Sequence, residues 1–128
     1  MASGRDAARY AKYLLQTGVP FSQTYMEATL ARYPILARLL VELFEARFHP
    51  EENSQAKAEG QAGFARELRA LAGEDEAAAK ALEYVIAARL EDRAAQMIAA
   101  EKTLLNLLDR VESIDEDRIL RSFKRAIL

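Results

Sequence analysis

The sequence predicts an all-α fold, a helical bundle from which one long helical hairpin extends. The strongest observation is a stretch from Glu74 to Val111 that contains neither glycine nor proline. Within it, apolar residues recur at helical spacing and form one continuous stripe. Composition agrees, because alanine is abundant and tryptophan is absent. Such a chain favours closely packed helices around aliphatic and aromatic side chains.

The stretch from Glu74 to Val111 is predicted to be a single helix. Its stripe is carried first by residues four apart and then by residues seven apart: Leu82, Ile86, Leu90, Met97, Leu104 and Val111. At about 1.5 Å per residue, this helix would be roughly 55 Å long. That length exceeds the diameter of a compact domain of this size, so we expect it to act as a strut.

A hairpin over residues 54–111 follows from the segment before this helix. The polar stretch that precedes Phe64 has the weakest helical pattern in the chain, and Ser54 can cap a helix there. From Phe64 onward apolar residues recur up to Gly73, which can end the helix in a left-handed conformation. An antiparallel return would place Leu71 against Ala78 and Phe64 against Val85 or Ile86.

Three helices are predicted within residues 5–50. The first runs from Arg5 to Gln16 and is ended by Gly18. Ser22 can cap the second, Gln23 to Arg32. Pro34 is placed to open the third, because proline is welcome at a first helical position, and Pro50 stops it. Its expected buried face comprises Leu36, Leu39, Leu40, Leu43 and Phe44.

The last helix is predicted within residues 113–128. Ser113 and Glu116 have the spacing of a capping box, in which each side chain binds the other residue's backbone N–H. The apolar side of this helix comprises Ile119, Leu120, Phe123 and Ile127. Residues 1–128 are therefore expected to form a single helical domain of about six helices.

The hairpin leaves part of the long helix uncovered. A helix that begins near Ser54 reaches only to roughly Ala95, so Met97, Leu104 and Leu108 need other partners. The first three helices and the last one carry the apolar surfaces that remain. We therefore expect them to form a bundle around the far end of the long helix, with the hairpin at Gly73 projecting from it.

Composition and charge exclude several classes of function. Eighteen Lys and Arg against 20 Asp and Glu give a net charge of -2, with the signs interspersed, so no basic stripe for nucleic acid is present. The chain has no cysteine and one histidine, which argues against a zinc site and suits a cytoplasmic protein. No apolar run approaches the roughly 20 residues of a membrane span.

The acidic clusters are interpreted as structural. Glu51-Glu52, Glu74-Asp75-Glu76 and Asp115-Glu116-Asp117 all lie at predicted helix starts, where the backbone dipole favours negative charge. Five tyrosines are assigned to the core or to interfaces: Tyr10, Tyr13, Tyr25, Tyr33 and Tyr84.

The other polar residues that could be considered for catalysis or ligand binding are also interpreted as structural. His49 ends a helix, Gly60 and Gly63 lack the rest of a phosphate-binding loop, and Ser113 has no histidine to act as its base. Glu101 lies in the apolar stripe and is expected at its edge, or else paired with an arginine. We assign no catalytic, cofactor-binding or metal-binding residue.

Three stretches resemble a known family. YAKYLLQTGVPFSQ (residues 10–23), GVPFSQTYMEATLARYPILARLLVELFEARFHP (18–50) and VESIDEDRILRSF (111–123) are similar to the large bacterial NAD-dependent glutamate dehydrogenases, in the helical region just before the catalytic domain. The strings LFEARF and SIDEDRILR are the most specific. His49 departs from the acidic residue more usual in the family. The resemblance implies a parent enzyme that converts L-glutamate and NAD to 2-oxoglutarate, ammonia and NADH.

The resemblance transfers no active-site residue, because the chain lacks the G-x-G-x-x-G fingerprint and the family's substrate-binding lysine motif. It implies a non-catalytic spacer, oligomerisation or regulatory module whose partners are other domains or subunits of a homo-oligomeric parent, with NAD bound elsewhere. Residues 113–128 would then lead toward a catalytic domain outside this chain. The competing hypothesis is a stand-alone helical adaptor that binds a partner helix.

Overall fold

The computed structural model describes residues 21–48 and 54–127, apart from the side chain of Ser54. In these ranges the chain forms six helices and no strand: α1 (Gln23–Arg32), α2 (Pro34–Phe48), α3 (Ser54–Ala72), α4 (Glu76–Ala88), α5 (Arg93–Leu108) and α6 (Ile114–Ile127). The predicted all-α class is confirmed. The helix predicted from Arg5 to Gln16 lies outside the described residues, as do Gly18, His49, Pro50, Glu51 and Glu52.

Local sequence signals set most helix ends as expected. The Ser22 hydroxyl accepts a hydrogen bond from the Tyr25 N–H at 3.1 Å, which caps α1. Pro34 is the first residue of α2. Gly73 has φ +56°, the left-handed conformation that glycine adopts without steric cost, and it follows the last residue of α3. Predicted and observed boundaries agree at these three points.

The single helix predicted from Glu74 to Val111 is wrong, because the chain leaves helical geometry at residues 89–92. Asp92 starts a new helix: its carboxylate accepts a hydrogen bond from the Ala95 N–H at 2.9 Å. The Gln96 side-chain amide donates to the carbonyls of Arg89 and Glu91, at 3.2 and 3.1 Å. These contacts satisfy backbone carbonyls that have no regular helical hydrogen bond at the turn.

The turn at residues 89–92 is also fixed to α3. The Lys57 ammonium donates to the Glu91 carbonyl at 3.2 Å, and the Arg89 guanidinium donates to the Lys57 carbonyl at 2.8 Å. The Arg89 guanidinium approaches so closely that a Cβ at Gly60 would lie 3.2 Å from its Nη2 atom. The glycine in the middle of α3 therefore makes room for the side chain that ties the two helices together.

Because the chain reverses at this turn, α5 runs antiparallel to α4. Arg110, just after α5, forms an ion pair with Asp75, which caps the start of α4. The α3–α4 hairpin is present in the expected register, as shown by the bond from the Gln61 amide to the Ile86 carbonyl at 2.8 Å. It does not project, however. The tip residue Leu71 borders the same cavity as Leu36 of α2 and Leu107 of α5.

Helix α2 lies at the centre of the packing, in contact with α1, α3, α5 and α6. The expected face is confirmed, since Leu36, Leu39, Leu40 and Leu43 are all buried and Phe44 is partly buried. Each such leucine contributes about 1.5–3 kcal/mol relative to an exposed one. The predicted apolar side of α6 is also buried: Ile119, Leu120, Phe123 and Ile127.

The capping box predicted at α6 is half right. The Ser113 hydroxyl accepts a hydrogen bond from the Glu116 N–H at 3.3 Å, as expected. The Glu116 side chain does not turn back to Ser113. Its carboxylate is bound instead by Tyr33 and Arg32, because docking of α6 onto the α1–α2 junction offers it two donors.

We expect Ser113→Ala to lower the free energy of unfolding by about 1 kcal/mol, because the Glu116 N–H loses its side-chain acceptor. Urea denaturation followed by circular dichroism measures the change. The control is Ser122→Ala on the same helix, where the hydroxyl donates to the Arg118 carbonyl at 2.7 Å without serving as a cap. Equal effects of the two substitutions would contradict the assigned role of Ser113.

Candidate functional site

Two carboxylates are buried among the described residues, Glu116 with 5% and Glu42 with 9% of its surface exposed. A buried carboxylate is costly unless it is paired, and buried acids are also frequent catalytic groups. Their partners therefore decide what these residues do.

Glu116 lies where α6 meets the α1–α2 junction. The Tyr33 hydroxyl donates to one carboxylate oxygen at 3.0 Å, and the Arg32 guanidinium contacts the other at 3.4 Å. Burial, together with the hydrogen bond to Glu116, raises the pKa of Tyr33 above its ordinary value. The hydroxyl is thus held in the protonated, donating form that the carboxylate requires.

A surface cavity of about 410 Å³ opens beside this pair. Its lining is mostly polar: Tyr25, Arg32, Tyr33, Arg110, Glu112, Ser113 and Glu116. A second cavity of about 250 Å³ shares several of these residues and extends past Asp75. The hydrogen bond from Arg110, followed by that from the Ala78 N–H, holds the pKa of Asp75 below its ordinary value.

The chemistry available in these cavities is limited. Among the described residues that line them there is no histidine, and the one serine there, Ser113, already caps α6. Each of the two lining carboxylates described above is bound by an arginine, through the contacts Glu116 to Arg32 and Asp75 to Arg110.

Glu42 belongs to a second cluster, between α2 and α3. The Arg38 guanidinium lies 3.4 Å from the Glu42 carboxylate and also donates to Glu67. Burial raises the pKa of Glu42, while the positive charge of Arg38 opposes that rise. The Phe64 ring lies 5.5 Å from the Arg38 guanidinium carbon and 5.0 Å from that of Arg89, so two cations contact one ring.

Of the three acidic clusters assigned to helix starts, the two that lie within the described residues are found there. Asp75 caps α4 through the Ala78 N–H at 3.1 Å. Asp115, Glu116 and Asp117 occupy the first turn of α6. Glu101 lies at the edge of the apolar stripe, 37% exposed and 3.9 Å from the Lys124 ammonium, so the edge position is confirmed.

The cluster around Arg38 and the tertiary role of Glu116 were not predicted from the sequence. Arg38 and Glu42 are four residues apart on one helix, a spacing that predicts an ion pair. No comparable signal links Glu116 to Tyr33, because 83 positions separate them in the sequence.

Two features are absent from the described ranges. None of the helices there is both long and apolar enough to cross a membrane. No group of three or more His, Cys, Asp or Glu side chains within the same ranges is placed to hold a metal ion.

Comparison with known proteins gives a consistent result. Residues 8–50 match the family model described as glutamate dehydrogenase, helical motif 3. The chain is 34% identical over 114 residues to the NAD-specific glutamate dehydrogenase of Mycobacterium tuberculosis, covering 89% of this chain and 5% of that protein. For the NAD-specific glutamate dehydrogenase of Halomonas elongata the identity is 30% over 118 residues, covering 92% of this chain and 5% of that protein. No solved structure matches.

The resemblance found in the sequence is thereby confirmed, although the chain spans only 5% of the length of these relatives. The matches extend well beyond helical motif 3 and cover most of the chain. The chain therefore belongs to the NAD-specific glutamate dehydrogenase family, as a segment of its helical region.

Proposed function

We propose that this chain is a non-catalytic helical module of a large NAD-dependent glutamate dehydrogenase, serving as a spacer, an oligomer contact or a regulatory element beside the catalytic domain. The parent enzyme would convert L-glutamate and NAD to 2-oxoglutarate, ammonia and NADH in the cytoplasm. NAD would be bound by other parts of that enzyme. The partners of this module would be other domains or subunits of a homo-oligomer.

One observation carries the proposal. Both buried carboxylates are engaged by side chains of the bundle itself: Glu116 by Tyr33 and Arg32, and Glu42 by Arg38. A catalytic acid or base must instead have access to its substrate. These groups serve to fix helices in position, which is the task of a scaffold.

The chain alone should produce no NADH from L-glutamate and NAD, because its sequence has no dinucleotide-binding loop and its described residues bring no free acid and base together. NADH absorbance is followed at saturating concentrations of both substrates, with a full-length NAD-specific glutamate dehydrogenase as the positive control. Turnover that disappears when this protein is removed would refute the proposal. The parent reading frame distinguishes the hypothesis of an enzyme module from that of a stand-alone adaptor. Codons after Leu128 that encode a dinucleotide-binding domain would exclude the stand-alone adaptor.

Tyr33→Phe should lower the free energy of unfolding by about 1.5–3 kcal/mol, because it removes a hydrogen bond to a buried charge. Tyr25→Phe is the control, since Tyr25 is 38% exposed on the preceding helix. Urea denaturation of both variants measures the difference. A Tyr33 variant as stable as the Tyr25 variant would show that Glu116 does not depend on Tyr33.

Glu42→Gln should change how stability depends on pH. The folded state raises the pKa of Glu42 by burial, so it binds this proton more tightly than the unfolded state does. That contribution is fully present below the ordinary carboxyl pKa and is lost as the pH rises through the raised folded value. The wild-type protein should therefore lose stability relative to Glu42→Gln as the pH rises above about 4, the ordinary carboxyl pKa.

Urea denaturation at several pH values measures this difference, with Glu59→Gln as an exposed control of the same chemistry. If the wild-type protein and Glu42→Gln stay separated by a constant free energy over the whole range, the assignment is contradicted.

A further inference from the structure

The turn between α4 and α5 is built from residues that can also form a helix. Residues 89–92 include no glycine and no proline. Arg89 already has helical backbone angles, with φ -59° and ψ -29°. Among the described residues, none other than glycine has a positive φ. No steric feature of the backbone therefore prevents α4 from continuing straight into α5.

Polar contacts at the protein surface hold the turn closed. Three of them are solvent-exposed: Asp92 to the Ala95 N–H, Gln96 to the Glu91 carbonyl, and Lys57 to the same carbonyl. Such hydrogen bonds contribute little individually, because water competes for both partners. In a straight helix, the backbone groups of the turn would bond to one another in the regular pattern instead. The closed and straight forms thus exchange one set of hydrogen bonds for another.

An apolar side chain distinguishes the two forms. Leu90 lies in the turn and is 54% exposed, whereas Leu82 and Ile86 on α4 are 1% and 6% exposed. A straight helix would place Leu90 four residues beyond Ile86, on the same face. The stripe found in the sequence would then be continuous through the turn. Straightening would also pull α5 away from α2 and α4, so a second copy is needed to cover the buried side chains of α5.

We infer that two copies of this chain form a dimer by exchanging α5 and α6. In the dimer, α4 and α5 make one helix over residues 76–108, about 50 Å long. The α5 and α6 helices of each copy pack against α1, α2 and α4 of the other, with the contacts that the single chain makes internally. The two Leu90 side chains meet where the long helices cross. Short hinge loops favour exchange of this kind. The inference rests on this chain alone and does not depend on the proposed function.

Size-exclusion chromatography with light scattering, over a range of concentrations of the 128-residue chain, tests the dimer. Asp92→Ala removes the cap that exists only in the closed turn, so the equilibrium of each hinge shifts roughly 5-fold toward the straight helix. Because the dimer contains two hinges, the dimer Kd falls by about 25-fold. Ser22→Ala removes a cap of the same type from α1, outside the hinge, and should leave the Kd unchanged.

Arg93→Pro should have the opposite effect. Proline suits the first position of α5, and Asp92 already has the extended conformation, φ -75° and ψ 172°, that a residue before proline requires. In the straight helix the same proline would lie in the interior. The equilibrium of each hinge would therefore shift on the order of 100-fold toward the closed turn. The dimer should therefore vanish while the monomer keeps its circular dichroism spectrum. A dimer that persists in Arg93→Pro would overturn the exchange.

The exposed leucine gives a matched pair of variants. Leu90→Lys should weaken the dimer by at least about 10-fold, since it would bury a charge at the crossing of the long helices. Ile98→Lys changes a similarly exposed aliphatic residue, 49% exposed, whose surroundings are the same in both forms. Equal dimer Kd values for the two variants would contradict the crossing at Leu90.

Cross-linking identifies exchange directly, because the natural chain has no cysteine. Asp75→Cys and Arg110→Cys are introduced into separate chains, which are unfolded together, refolded and treated with a short bismaleimide. The two positions are in contact across the exchanged interface, so an exchanged dimer yields a covalent product of twice the chain mass. A dimer that does not yield this product is an ordinary surface association. A chain that stays monomeric even when it carries Asp92→Ala does not exchange α5 and α6. Either result refutes the inference.

Discussion

The reversal of the chain at residues 89–92 is the constraint on which the rest of the bundle depends. It brings α5 back along α4 and places α5 against α2. Without it, the buried residues Ala99, Ala100 and Leu104 of α5 would have no intramolecular surface to cover them. The turn itself is held by polar contacts from Asp92, Gln96 and Lys57. A few hydrogen bonds at the surface thus determine where a large apolar interface forms.

The buried charges act at the two junctions that this arrangement creates. Glu116 fixes α6 to the start of α2, while Arg38 links Glu42 within α2 to Glu67 on α3. Hydrogen bonds of this kind are directional, whereas apolar packing tolerates rotation and sliding of helices. They define the angles at which the helices meet. The spacer role proposed above would require such defined angles.

Within the described residues, the sequence predicted most of the helix ends but not the turn at residues 89–92. Ser22, Pro34 and Gly73 each act locally, so their effects could be predicted from adjacent residues. Asp92 is equally local as a cap, yet the uninterrupted apolar spacing on both sides favoured a continuous helix. Tertiary contacts decided otherwise, because Arg89 binds a carbonyl 32 residues away. The buried carboxylate sites depend on pairings of that kind, and no local pattern encodes them.

Contact between the first and the last described helices has a consequence for folding. The Arg32–Glu116 pair joins residues 84 positions apart, and pairings this distant in sequence slow folding because a long loop must close first. On the ribosome, α1 and α2 emerge well before α5 and α6, the helices that cover much of their apolar faces. The bundle is therefore complete only after the whole segment has been synthesised, and until α5 and α6 have emerged the apolar face of α2 is uncovered.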